Sequence, residues 1–177
     1  MATAEKREET VQSLSENLAS FAVDRDDIKQ LLKTLPEDET IKPVTVEYEL
    51  QILKIIAAGW AINVHMDGLA EKDAVAETFW LIVREFSKNL SETLHLTTGA
   101  EVDYFETLKT RMNDYLAAVE SVGKGEPTQA VGPQFAILCG CPDNPFVTLN
   151  GARIFHLTTT AVQEYVASVS ITRETLH

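Results

Sequence analysis

Cysteine and long apolar runs are both scarce in this sequence. Its two cysteines, Cys139 and Cys141, are too few for the disulfide framework of a small secreted protein. Their apolar neighbours predict buried thiols rather than metal ligands. The longest apolar run, residues 55–62, is far shorter than the roughly 20 residues that cross a bilayer. The first residues are charged and lack the apolar segment of a secretory signal. We therefore expect a cytoplasmic protein that does not engage a membrane.

Basic residues are also few. Lys and Arg number 15 against 27 Asp and Glu, which gives a net charge of −12 and an isoelectric point near 4.7. Nucleic-acid backbones and anionic lipid surfaces are bound by clustered basic side chains, so neither is an expected partner. An acidic surface suits a basic partner, or simply keeps a protein in solution.

Familiar catalytic motifs are missing as well. The sequence contains no Gly-x-Ser-x-Gly element, no phosphate-binding P-loop, no dinucleotide fingerprint and no His-Glu-x-x-His pair. A catalytic triad need not show in the sequence, because its members can lie far apart along the chain. Nothing nominates one, so the sequence favours a protein that is not an enzyme and needs no cofactor.

Apolar side chains at helical spacing are what the sequence does contain. They predict an all-α or mainly α fold, a compact bundle of about six helices forming one domain over residues 1–177, with a linker at 36–43. Over residues 44–66 apolar side chains surround the helix axis, so this segment is predicted to be the central helix. Within it, Ala57-Ala58-Gly59 would let a neighbouring element approach closely.

Proline and glycine are concentrated in residues 123–160, which are predicted to be irregular. Within this segment Asn150-Gly151 stands between two apolar runs, the strongest short signal for a β-hairpin. We therefore expect a hairpin near 146–155. The competing interpretation is a helix interrupted by Gly151.

Two Glu-x-x-His pairs, Glu92 with His95 and Glu174 with His177, form the sharpest chemical pattern. Helical bundles use such pairs, with further Glu residues, to hold two metal ions bridged by carboxylates. The first pair, however, falls opposite the apolar stripe of its helix, on the side facing solvent. The second pair lies at the end of the chain, where helices fray. A metal site is therefore the disfavoured alternative.

Two further pairs of apolar residues suggest binding functions. Trp80 and Leu81 fall off the apolar stripe of the helix predicted at 70–95, as the anchors of protein interfaces do, although packing within the chain is the other interpretation. Trp60 and Phe135 are candidates to line a pocket beside the central helix. The expected function is a non-enzymatic protein-interaction or adaptor domain whose partner is another protein or a second copy in a homodimer. Small-molecule binding is the alternative, and a carboxylate-bridged metal protein is the second alternative.

Overall fold

The computed structural model describes residues 5–172. Over this range the chain is mainly helical, as the sequence predicts, with seven helices and two short strands. No helix in this range is long and apolar enough to cross a membrane. In chain order the elements are β1 (Arg7–Thr10), α1 (Val11–Val23), α2 (Asp26–Leu32), α3 (Pro43–His65), α4 (Lys72–Thr98), α5 (Tyr104–Val122), α6 (Pro127–Leu138), α7 (Pro145–Ser168) and β2 (Val169–Thr172).

The helix α3 is the centre of the fold, as its all-round apolar character predicts. Every residue from 49 to 59 is buried, and α3 packs against α1, α2, α4, α5 and α7. Three polar side chains of α3, those of Glu49, Gln51 and Lys54, are buried as well. Lys54 is an example: its ammonium donates to the backbone oxygen of Asp24 at 2.8 Å and to the carboxylate of Asp27 at 2.9 Å.

The hairpin expected near 146–155 is wrong, because this segment belongs to α7. Asn150 is buried, and its amide donates to the backbone oxygen of Leu31 while its side-chain oxygen accepts from Thr34 at 3.1 Å. Gly151 faces Phe135, so closely that a β-carbon on Gly151 would lie 2.6 Å from the phenylalanine ring. Asn150 and Gly151 therefore contribute to the packing of α7, although an Asn-Gly pair is typical of a hairpin turn.

The irregular structure predicted for residues 123–160 is wrong for most of the segment, because α6 and α7 occupy residues 127–138 and 145–160 of it. Pro127 and Pro145 stand in the first turns of α6 and α7, where a missing N–H costs nothing. The side chain of Asn144 caps α7 by accepting from the backbone N–H groups of two residues in its first turn. Prolines in the first turns of helices were therefore mistaken for signs of irregular structure.

Two short strands were not predicted. β1 and β2 pair in parallel, with Arg7 opposite Val169 and Thr10 opposite Thr172. The first helix therefore begins only at Val11, with Thr10 as its cap. Strands of four residues are too short to show an alternating pattern, so their sequences carry no signal of their own.

A candidate ligand cavity

A cavity of about 210 Å³ lies between α3 and the helices that surround it. Its walls come from five helices, and none of its lining residues carries a charge. Its exposed members, Asn63 and Leu116, place the opening between the end of α3 and the middle of α5. The full lining is Leu53, Ile56, Gly59, Trp60, Asn63, Trp80, Met112, Tyr115, Leu116, Val119, Val131 and Phe155.

Two tryptophans form part of this wall. Trp60 is half-buried on α3, and its ring lies 5.3 Å from that of Phe155, centroid to centroid, at a tilt of 49°. Trp80 is half-buried on α4 and meets Phe79 edge-on, with the centroids 5.2 Å apart. Each indole is thus held by another aromatic ring, which fixes the shape of the cavity without filling it.

The indole of Trp80 can reach α3 because residue 59 is glycine. A β-carbon at Gly59 would overlap the benzenoid edge of the Trp80 ring. The close approach predicted from Ala57-Ala58-Gly59 is therefore confirmed, and Trp80 is the group that approaches.

Tyr115 lines the cavity, and its buried hydroxyl group has Glu49, Cys139 and Arg111 as electrostatic neighbours, which do not line it. Tyr115 is 3% exposed, and its hydroxyl has no hydrogen-bond partner among the described residues. Burial raises the pKa of this phenol well above its usual value, and the nearby charge of Glu49 raises it further. The group therefore stays protonated at neutral pH and is available as a hydrogen-bond donor.

A largely buried ion pair between Arg111 and Glu49 lies close to Tyr115. Arg111 donates to both carboxylate oxygens of Glu49, through Nε at 2.9 Å and through Nη2 at 2.8 Å. These hydrogen bonds raise the pKa of Arg111. Burial, followed by the charge of Glu49, raises the pKa of the Cys139 thiol to about 12. Because the two charges satisfy each other and neither side chain lines the cavity, the interior of the cavity remains uncharged.

The residues singled out from the sequence are distributed as follows. The cavity is lined by Trp60, which was expected in a pocket. It is also lined by Trp80, which was expected at a protein interface. Phe135, expected beside Trp60, is fully buried against Gly151 and does not line it. Leu81 is 56% exposed and faces a groove between α4 and α5.

The metal-site residues lie elsewhere. Glu92 and His95 are exposed on α4, on the rim of an open depression between the end of α4 and the start of α5. Among residues 5–172 no group of three or more His, Cys, Asp or Glu side chains is placed to hold a metal ion. Glu174 and His177 lie outside the described residues.

Several cavity residues were not identified as functional from the sequence. Met112, Tyr115 and Val119 line the cavity and follow the apolar stripe of α5, as residues of a filled core also do. Spacing cannot separate a side chain that fills the core from one that borders a void, because both face inward. Comparison of the chain with family models, with curated proteins and with solved structures finds no match.

Proposed function

We propose that this protein binds a small, largely apolar molecule in the cavity between Trp60 and Trp80, and that it does so without catalysing a reaction. One observation carries the proposal: an uncharged cavity of about 210 Å³ between five helices, lined by both tryptophans and by mostly apolar side chains. Concave, mainly apolar sites with a few polar groups are where proteins usually bind small molecules.

The size of the cavity supports the same proposal. Protein interiors are close-packed, and voids larger than a water molecule are few. A bound molecule would supply the packing contacts that the lining side chains lack on this side.

The chemistry of the lining favours binding over catalysis. The lining contains neither a carboxylate nor an imidazole, a thiol or an amine. Its titratable side chain is Tyr115, and the raised pKa of this phenol makes it a poor base at neutral pH. Large apolar surface with one or two placed polar groups is the usual composition of a small-molecule site.

Tryptophan fluorescence tests the proposal directly, since the chain has two tryptophans and both line the cavity. We expect small aromatic molecules such as benzyl alcohol to change the emission saturably and to raise the melting temperature. Val119→Phe, which fills the cavity, should abolish both effects. Val122→Phe is the matched control, because Val122 lies on the same helix and is exposed. Saturable binding that survives in the Val119→Phe variant would place the ligand elsewhere.

Self-association is a second candidate function, favoured by the groove beside Leu81. Basic side chains (Arg84, Lys88 and Lys109) and acidic ones (Glu85, Glu92, Asp103 and Glu106) both line this groove. A surface with both signs of charge can be complementary to itself across a two-fold axis. We expect Leu81→Asp to shift a dimer to monomer in sedimentation equilibrium. Leu157→Asp, at a site of similar exposure on α7, should not. A wild-type chain that is monomeric at all concentrations would exclude this candidate.

A cytoplasmic location accords with both candidates. Cys139 and Cys141 are unpaired and buried, as thiols are in a reducing compartment. Fractionation of cells that express the tagged chain tests the location, and recovery with the membrane or secreted fraction would contradict it.

A further inference from the structure

The groove beside Leu81 continues along α4 into the open depression at the end of that helix. The groove and the depression form one surface, because four residues line both of them: Ser91, Glu92, Val102 and Asp103. We call this surface the α4–α5 groove. Leu81 lines one half of it and Leu96 lines the other. At a rise of 1.5 Å per residue, these two leucines lie about 22 Å apart along α4.

Apolar surface is exposed in both halves of the groove. Leu81 is 56% exposed and Leu96 is 84% exposed. Val102 and Phe105 line the α5 side and are partly buried. Single exposed leucines are common on protein surfaces, but two in one groove with further apolar lining provide area that a partner can bury.

Charge is divided unequally between the two halves. The half with Leu96, the acidic end, is lined by three acidic side chains and by no lysine or arginine: Glu92, Glu101 and Asp103, beside His95. The half with Leu81, the basic end, holds all three basic side chains of the groove, with two acidic ones: Arg84, Lys88 and Lys109, with Glu85 and Glu106. The groove therefore changes sign along its length.

Most of these charges have no partner within the chain. Lys109 pairs with Glu106, but no ion pair among residues 5–172 uses Arg84 or Lys88. The same holds for two carboxylates of the acidic end, Glu92 and Glu101. Both signs of charge are thus available to a molecule that lies along the groove.

A second copy of the chain is complementary to this distribution in one orientation. A two-fold axis across the middle of the groove places the basic end of each copy against the acidic end of the other, so the favourable contact occurs twice. A parallel arrangement places like charges together. A partner with charge of one sign would suit one end and be repelled by the other.

We propose that the α4–α5 groove binds a second copy of this chain in an antiparallel orientation, with Arg84 and Lys88 of each copy facing the acidic end of the other. This inference rests on self-association, the second candidate function, and specifies how the two copies meet.

Three charge-reversed variants test the orientation. The first carries Arg84→Glu with Lys88→Glu, the second carries Glu92→Lys with Glu101→Lys, and the third carries all four changes. We expect the first and the second each to dimerise at least tenfold more weakly than the wild type at low ionic strength, where surface charges are least screened. An equimolar mixture of the first and second should form mixed dimers.

The third variant is the decisive one, because its groove has the wild-type charges in reverse order. It should dimerise with itself about as tightly as the wild type does. It should not form mixed dimers with the wild type, since each end would then meet its own sign of charge. Sedimentation equilibrium gives the affinities, and native mass spectrometry separates pure from mixed dimers.

Lys33→Glu with Lys124→Glu is the matched control. Both lysines are exposed and lie outside the groove, and the pair of changes gives the same net charge as the first variant. The control should dimerise as the wild type does. Circular dichroism should show wild-type helix content in every variant, because all the altered side chains are exposed.

The possible failures are distinguishable. If the wild type is monomeric at all concentrations, self-association and the orientation are both overturned. If the wild type dimerises and the first variant dimerises as tightly as the control, self-association stands and the role of the groove charges is overturned. If the third variant forms mixed dimers with the wild type as readily as it pairs with itself, self-association again stands and the antiparallel orientation is overturned.

Discussion

Trp80 occupies the space that a side chain on Gly59 would need, so the indole of α4 rests directly on the backbone of α3. This contact forms one wall of the cavity, in which both residues take part. It also explains why the helix at the centre of the fold carries a glycine, which by itself destabilises a helix by roughly 1 kcal/mol relative to alanine. The contact therefore links the packing of α3 and α4 to the shape of the candidate site.

Gly59→Ala should destabilise the protein even though alanine is the better helix former. The new methyl group overlaps the Trp80 ring, and overpacking of this kind costs about 1–3 kcal/mol. Urea unfolding measures the change. Adding Trp80→Leu to the variant removes the overlap, so the added cost of Gly59→Ala should disappear in the double variant. A single variant more stable than the wild type would contradict the contact.

Removal of Arg111 should cost more than removal of the charge on Glu49. Arg111→Met leaves a carboxylate that is 3% exposed without its partner, which costs about 3 kcal/mol. In Glu49→Gln the guanidinium, 24% exposed, can turn to water, so the cost is smaller. Urea unfolding at pH 7 gives both values. Equal costs for the two variants at pH 7 would contradict this asymmetry.

Asn150→Ala should destabilise the fold by about 2 kcal/mol, because it removes a buried amide that joins α7 to the end of α2. The backbone oxygen of Leu31 and the hydroxyl of Thr34 each lose one partner. Asn113→Ala on α5 is the control: Asn113 is exposed, and the change there should stay within about 0.5 kcal/mol. Thermal or urea unfolding of both variants provides the comparison. Similar stabilities for the two would exclude a structural role for the Asn150 amide.

The helices whose apolar residues form a clear pattern were predicted close to their observed bounds. α3 was predicted at 44–66 and runs from Pro43 to His65, because its apolar side chains must all be enclosed. The helix predicted at 70–95 is α4 (Lys72–Thr98), whose stripe of large apolar residues allows one buried face. Such patterns reflect the geometry of the helix itself, so they do not depend on what packs against it.

Prediction failed where a residue type serves two purposes. Asn-Gly initiates hairpins, but in α7 the asparagine anchors α2 and the glycine makes room for Phe135. The cavity could not be predicted either, because its lining residues follow the same helical periodicity as the residues of the filled core. Trp60 lines the cavity, but its neighbours there include residues of four other helices, and that arrangement depends on tertiary packing. Local pattern determines which side of a helix faces inward, and tertiary packing determines whether the interior is full.

Alkaline pH should destabilise the protein through three buried groups that resist ionisation. Burial raises the pKa of the Cys139 thiol to about 12 and raises the pKa values of Tyr104 and Tyr115 as well. In the unfolded chain these groups ionise near pH 8.5 and pH 10, so above those values the unfolded state holds fewer protons than the folded state. The free energy of unfolding then falls with rising pH: it is at its full value below about pH 8.5, and part is lost progressively up to about pH 12.

Urea midpoints at pH 8 and pH 10.5 should show this loss of stability. Cys139→Ala and Tyr104→Phe should each reduce it, because each variant removes one group that must stay protonated in the fold. If both variants lose as much stability as the wild type over this range, the alkaline transition has another origin.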